Sequence, residues 1–398
     1  MKNMIFRSSN ILKIILISSL YTSVSGDDFN NLNKTKKDIL NYSYKKIDQD
    51  SAKLKKDWIN PISYSYIYNK DKDYTTTKSI ISVSQPIFKS GAIWDAIKYA
   101  ASVKKYSTTS TNIEQKELIK QLISLVLNIK KLDLSIEKQK LSISNGKIEV
   151  NIKKEQVLNG VLDSSFLNNA IIALNTQKNI LIDLEYQREL DINNLKLLSD
   201  KSYKDIQIPT FKLNTQKDFI EKNIYIKQQK QNLETSYFVK NMTIENYLPS
   251  INLTASYSKY HDIDGNKYLD TSAQTNIGFK VTIPFDIKFK NNIASAKLQY
   301  LKNKAIVDDQ KLKEKVLFTN IKLKLNSLNK KIIIAKDDYK LYDSLVKDMI
   351  ELYNGGLKTK YDLQTMQNSK RIKSIEMQSL KIDKQIELLE LYSRINNE

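Results

Sequence analysis

The chain has 398 residues, with 64 Lys and Arg against 44 Asp and Glu, a net charge of +20, one His and no Cys. No Cys means no disulfide framework, thiolate metal site, Cys nucleophile or Cys-borne lipid anchor, and one His leaves no His-rich metal centre. Eight Gly and five Pro fall far below the usual ~7% and ~5%, so the chain is built from few, long elements and each Gly or Pro marks a junction.

Lys2 and Arg7 precede an apolar run from Ile11 to Ile17, interrupted by Lys13, and Ser23-Val24-Ser25 offers small residues for cleavage before Gly26. Residues 1–25 therefore read as a secretory signal peptide, too short for a membrane span of ~20 residues. Residues 32–59 form a polar amphipathic helix that stops before Pro61. Ile62, Tyr64, Tyr66 and Tyr68 then alternate with Ser63, Ser65 and Ile67, and Ile81 and Val83 with Ser82 and Ser84. Both runs have the period of a strand. Across 92–158, Leu118, Leu122, Leu125, Ile129, Leu132 and Ile136 recur at alternating four- and three-residue spacing, a coiled-coil seam. Only Asn145-Gly146 threatens that helix, which turns at Asn159-Gly160 and returns over 164–199.

The second half repeats this order. Helices are expected at 217–247, 290–353 and 359–396, around strands in which Ile251, Leu253, Ala255 and Tyr257, then Ile277, Phe279, Val281 and Ile283, alternate with small polar residues. Asn159-Gly160-Val161-Leu162 matches Asn354-Gly355-Gly356-Leu357 at an offset of 195, and Gln85-Pro86-Ile87-Phe88 matches Ile283-Pro284-Phe285 near 198. The chain divides into the signal at 1–25, a first repeat at 26–200, a linker at 201–216 containing Pro209, and a second repeat at 217–398. Helices of this length need a bundle or a tube. Four alternating strands suit a soluble sandwich or a membrane barrel. They cannot close a membrane barrel alone, since such barrels start at about 8 strands, so that reading needs several chains.

These motifs resemble the TolC-like outer-membrane efflux proteins over residues 32–396. The carrying residues are Ser84-Gln85-Pro86-Ile87-Phe88 with Gly91, Leu248-Pro249-Ser250-Ile251, Ile283-Pro284-Phe285, and Leu352-Tyr353-Asn354-Gly355-Gly356-Leu357 followed by Tyr361-Asp362-Leu363. The resemblance implies a mainly α fold with a small β part. Its tandem long helical hairpins form an α-barrel, and its four strands join those of two other copies in one transmembrane β-barrel. It implies a homotrimer in outer-membrane lipid, reaching into the periplasm. The chain would be the exit duct of a tripartite efflux or type I secretion system, docking a periplasmic adaptor and through it an inner-membrane pump or ABC transporter. Asn159, Gly160, Val161, Leu162, Asn354, Gly355, Gly356 and Leu357 would be the adaptor-docking tips. Asp362, with Thr365 one turn on, would line the periplasmic gate. Thr365 and the first-half counterpart Leu167 are not acidic, so one carboxylate ring is expected.

On mechanics, Pro86 and Pro284 lack an N–H and should mark, with Gly91, where strand gives way to helix. Gly160 and Gly355 or Gly356 allow the positive φ of a tight hairpin, as adaptor tips or as plain helix C-caps. Asp362 reads equally as a first-turn acid complementing a helix dipole. A periplasmic coiled-coil adaptor or a structural protein of an envelope complex is the alternative. Nucleic-acid binding is disfavoured, because Lys is interleaved with acids, as in Glu114-Gln115-Lys116-Glu117. No enzyme, cofactor or metal site is expected: His261 is placed in a loop without a nucleophile beside it, and the chain has no phosphate-binding loop.

Overall fold

The computed structural model describes residues 29–70, 72, 75–264 and 272–396, so the signal segment at 1–25 lies outside the described residues. Helix α1 (Lys34–Lys56) starts at Asn33, whose side chain accepts from the Lys36 amide at 2.9 Å. Strands β1 (Ser63–Lys70) and β2 (Thr75–Phe88) lead into α2 (Ala92–Leu158), which α3 (Ser164–Leu195) answers. After a short α4 (Gln216–Glu221), the order recurs as α5 (Ile224–Glu245), β3 (Ser250–Asp264), β4 (Gln274–Thr282), α6 (Phe289–Asn354) and α7 (Lys360–Tyr392). At 67 residues, α2 is ~100 Å long at ~1.5 Å per residue.

Asn145-Gly146 does not break α2. A Cβ on Gly146 would lie 3.2 Å from Leu174 Cδ1, so the glycine lets α3 approach closely. Asn145 Oδ1 accepts from Asn368 of α7 at 2.7 Å. The upper part of α2 packs on α1 and α5, marked by Tyr44–Asn112 and Thr235–Ser102 bonds. Its lower part packs on α3 and α7, marked by Gln139 reaching the Gln177 carbonyl and by Lys131–Asp383 and Lys138–Glu376 ion pairs. Helix α6 follows α5 above and α7 below. The four strands form one antiparallel sheet in the order β1-β2-β3-β4.

Pro86 does not end its strand. It lies inside β2 opposite Asn252, where the ladder shifts register before Phe88, and a shifted ladder tolerates the missing N–H. The turn into α2 comes later, at Ser90 (φ 45°) and Gly91 (φ 100°). Pro284 does follow β4, in the irregular stretch before α6.

A buried apolar cluster sits midway along the molecule, where the long helices meet the segment between the repeats. Ile123, Val126 and Ile129 of α2, Phe318 and Leu325 of α6 and Leu389 of α7 enclose Tyr203, Ile206, Phe211 and Phe219. Beside them, Glu314 is 1% exposed. Its carboxylate accepts from Asn223 (2.9 Å), Gln310 (2.8 Å) and Arg394 (2.9 Å). Arg394 also holds Glu390 (2.9 Å), which holds Lys120 (2.9 Å), which holds Glu117 (3.0 Å). Partnered this way, a buried carboxylate is tolerated.

Candidate channel surfaces and hairpin tips

The sheet has two chemically distinct faces. On one, Tyr64, Ile81 and Tyr257 lie side by side, followed by Val83, Ala255 and Ile277, then by Leu253 with Phe279 and Ile251 with Val281. This face is bare: Ile277 is 74% exposed and Phe279 72%. On the other, Ser63, Ser82, Ser256 and Asn276 form one row, and Ser84, Thr254 and Gly278 another. A water-soluble sheet buries its apolar face; here that face lies uncovered, as in a wall with lipid outside and water inside. Strands β1 and β4 each pair on one side only within the chain.

Helix α6 repeats the pattern. Val307, Phe318, Ile321, Leu325 and Leu328 are buried, while Leu298, Leu312, Val316, Leu323, Ile334 and Leu341 lie exposed. Both sets keep helical spacing on opposite sides, since at ~3.6 residues per turn Leu312 and Glu314 point nearly opposite ways. Ile172, Ile182, Tyr186 and Leu197 are exposed on and just beyond α3, at the other margin of the helical layer. Sequence reasoning found the α2 seam but missed the second α6 stripe, which was readable in the same spacing.

Both tips are the same motif. At the end of α2, the Val161 amide donates to the Gln156 carbonyl (2.8 Å) and that of Gly160 to Val157 (3.0 Å). At the end of α6, Leu357 donates to Leu352 (2.9 Å) and Gly356 to Tyr353 (3.0 Å). These are Schellman caps, whose residue after the C-cap takes a positive φ. That residue is Gly160 (φ 69°) and Gly356 (φ 75°); Gly355 is at −77°. Gly355 therefore does not carry the left-handed turn, and the tips align at an offset of 196, one more than the Asn-Gly match gave. Asn159 and Gly355 are the equivalent C-caps, Asn354 is the last residue of α6, and Val161 and Leu357 project at 68% and 73% exposure, with Leu162 following. The Asn368–Asn145 bond shows that both tips hang from the same end.

Asp362 sits in the first turn of α7, closing a capping box. Its amide donates to Thr359 Oγ1 (3.2 Å), and its carboxylate accepts from the Thr359 amide (2.9 Å) and hydroxyl (2.8 Å). The Thr359 amide, then its hydroxyl, hold the Asp362 carboxyl below the usual carboxylate range. Thr365 lies on the same turn as Asp362, partly exposed. The strand–helix junctions meet at the lower rim of the sheet, where Ser90 Oγ donates to the Pro249 carbonyl at 2.7 Å. A Cβ on Gly91 would stand 2.8 Å from Glu245 Oε1.

His261 is inside β3, not in a loop. It is the extra residue between Tyr260, opposite Lys78, and Asp262, opposite Thr77. Its Nε2 lies 2.7 Å from Ser79 Oγ, and its ring stacks on Tyr66 at 6.0 Å. No group of three or more potential metal ligands occurs among the described residues, and no described helix is long and apolar enough to cross a membrane.

No family model and no curated protein matches the chain by sequence. Solved structures do match in fold. The Campylobacter jejuni CmeC outer membrane channel has a TM-score of 0.71 at 15% identity over 92% of this chain and 84% of that one. The Vibrio cholerae outer membrane protein VceC gives 0.70 at 12%, over 92% and 94%. The Neisseria gonorrhoeae MtrE channel in its open state gives 0.62 at 13%, over 92% and 86%. The fold is that of outer-membrane channels: long helical hairpins hung from a small antiparallel sheet. The resemblance to the TolC-like proteins, read first in the turn motifs, holds at the level of this fold.

Proposed function

We propose that the chain is one protomer of a trimeric outer-membrane channel-tunnel, the exit duct of a tripartite efflux or type I secretion system. The observation that carries this reading is the sheet, with its apolar face bare and both edges open. In lipid, every backbone donor and acceptor must be paired, so an open four-stranded sheet needs further copies to close a barrel. The unburied stripes at the two margins of the helical layer would meet in the same assembly and close a tube below it. An aqueous adaptor would have no use for a bare apolar sheet face.

The conduit is passive and uses no cofactor. The paired tips, with exposed Val161 and Leu357, are the surface for a periplasmic adaptor, which would connect an inner-membrane pump or ABC transporter. Asp362, charged and one turn from the tip, together with Thr365 forms the periplasmic constriction. The test is fractionation of the native protein. It should partition with the outer membrane and run as an oligomer that heating dissociates; recovery in the aqueous periplasmic fraction as a monomer would reject the proposal.

A further inference from the structure

We infer that the water-facing wall of the sheet is an anion-attracting surface, which favours anionic over cationic solutes at the exit of the channel. The inference rests on the barrel reading above. The polar face of the sheet is mostly hydroxyl and amide side chains, such as the row Ser63, Ser82, Ser256 and Asn276, with Ile67, Ile80 and Pro86 as apolar members. Its charged members are Lys78, in the row of Ile67 and Tyr260, and Lys280, in the row of Pro86 and Asn252. Among the residues whose side chains are described, no Asp or Glu occupies this face. Lys78 keeps its ammonium over the Tyr260 ring at 5.6 Å, a cation–π contact that holds it at the wall.

The two lysines lie toward opposite ends of the sheet. Ser82 sits between them, four residues from Lys78 and four from Pro86 in the row of Lys280. That is ~14 Å to either side at ~3.4 Å per residue. Closing three copies would place six ammonium groups and no described carboxylate around one narrow bore. Low-dielectric walls around charge of one sign focus its field and raise the local concentration of the opposite ion. The range is set by salt: a Debye length of about 30 Å at 0.01 M spans the distance from Lys78 to Ser82, whereas about 8 Å at 0.15 M does not. A neutral or anionic cargo passes this wall without penalty; a cationic one is repelled at two levels.

The absence of Cys in the chain allows a clean test. Ser82→Cys places a thiol on the polar wall, and Tyr257→Cys one on the apolar face. Each oligomer, in lipid vesicles, is reacted with sulfonatoethyl or trimethylammonioethyl methanethiosulfonate, reagents of similar size and opposite charge. Ser82→Cys should react with both and Tyr257→Cys with neither. In 10 mM salt, the ratio of anionic to cationic labelling rates at Ser82→Cys should exceed that of free cysteine by roughly tenfold. Adding Lys78→Gln and Lys280→Gln should return it to the free value, as should 0.5 M salt. If Ser82→Cys is labelled but its ratio matches free cysteine, or is unmoved by the lysine changes, the inference is overturned and the barrel reading stands. If Tyr257→Cys reacts as readily as Ser82→Cys, the barrel reading itself fails.

Discussion

The tips show how much a single backbone angle decides. Gly356 holds φ 75° with nothing within 4 Å of a Cβ, whereas Gly355 holds −77°. A side chain at the first position is strained by about 1 kcal/mol, while at the second it removes freedom from the unfolded chain and is neutral to slightly stabilising. Gly356→Ala should therefore speed local hydrogen exchange at Leu357 about fivefold and Gly355→Ala should not; the reverse order would restore the Asn-Gly alignment of the tips. Gly91→Ala combines a φ of 100° with a 2.8 Å approach to Glu245. It should lower the thermal midpoint by several degrees, about 1–3 kcal/mol of strain, and a second change, Glu245→Ala, should recover part of the loss. The turn residues were legible in the sequence because Gly and Pro are scarce there. Which glycine takes the left-handed angle was not legible, since Asn354-Gly355-Gly356 allows two registers and only the Schellman hydrogen bonds choose.

At the scale of elements, the helices and strands follow from periodicity, and most long helices end within a few residues of their expected bounds; the exception is 217–247, which breaks at Lys222-Asn223, where Asn223 caps α5 (Ile224–Glu245). What periodicity could not supply was pairing between residues far apart. Arg394 meets Glu314 and Glu390 meets Lys120, contacts set by the tertiary fold. His261 was misplaced for a similar reason, because the extra residue that keeps it in β3 is defined by the partner strand. The buried network makes two predictions. Arg394→Ala removes the cationic partner of the buried Glu314 carboxylate, which should cost about 3–5 kcal/mol and loosen the middle of the molecule before either end. Differential proteolysis of the 200–222 segment would read it, and an unchanged pattern would count against the network. For pH, burial works to raise the Glu390 carboxyl, but hydrogen bonds from Lys120 and Arg394 overcome it and hold it below the usual carboxylate range. Its folded pKa is thus below its unfolded one, so its stabilisation is fully present above about pH 4.3 and is lost as pH falls through the folded value. A denaturant midpoint that is flat above pH 5 and falls below about 4.3 is expected; in Glu390→Gln part of that fall should vanish.

At the scale of the whole molecule, the proposed assembly would cover surfaces that one chain leaves open. The sheet, α6 and α3 each leave an apolar surface open. A single α6 change tests this: Leu323→Lys replaces an exposed residue, so it should leave the helical content of one chain unchanged while weakening association between chains. The sequence pointed to the proposed assembly through strand count, helix length and the family resemblance. It could not show which helix faces stay uncovered, because a buried and an unburied apolar stripe have the same spacing. The most direct measurement is the native mass of the detergent-extracted protein. The account predicts one species with the mass of three chains, and a stable, folded, single-chain species as the sole form would contradict it.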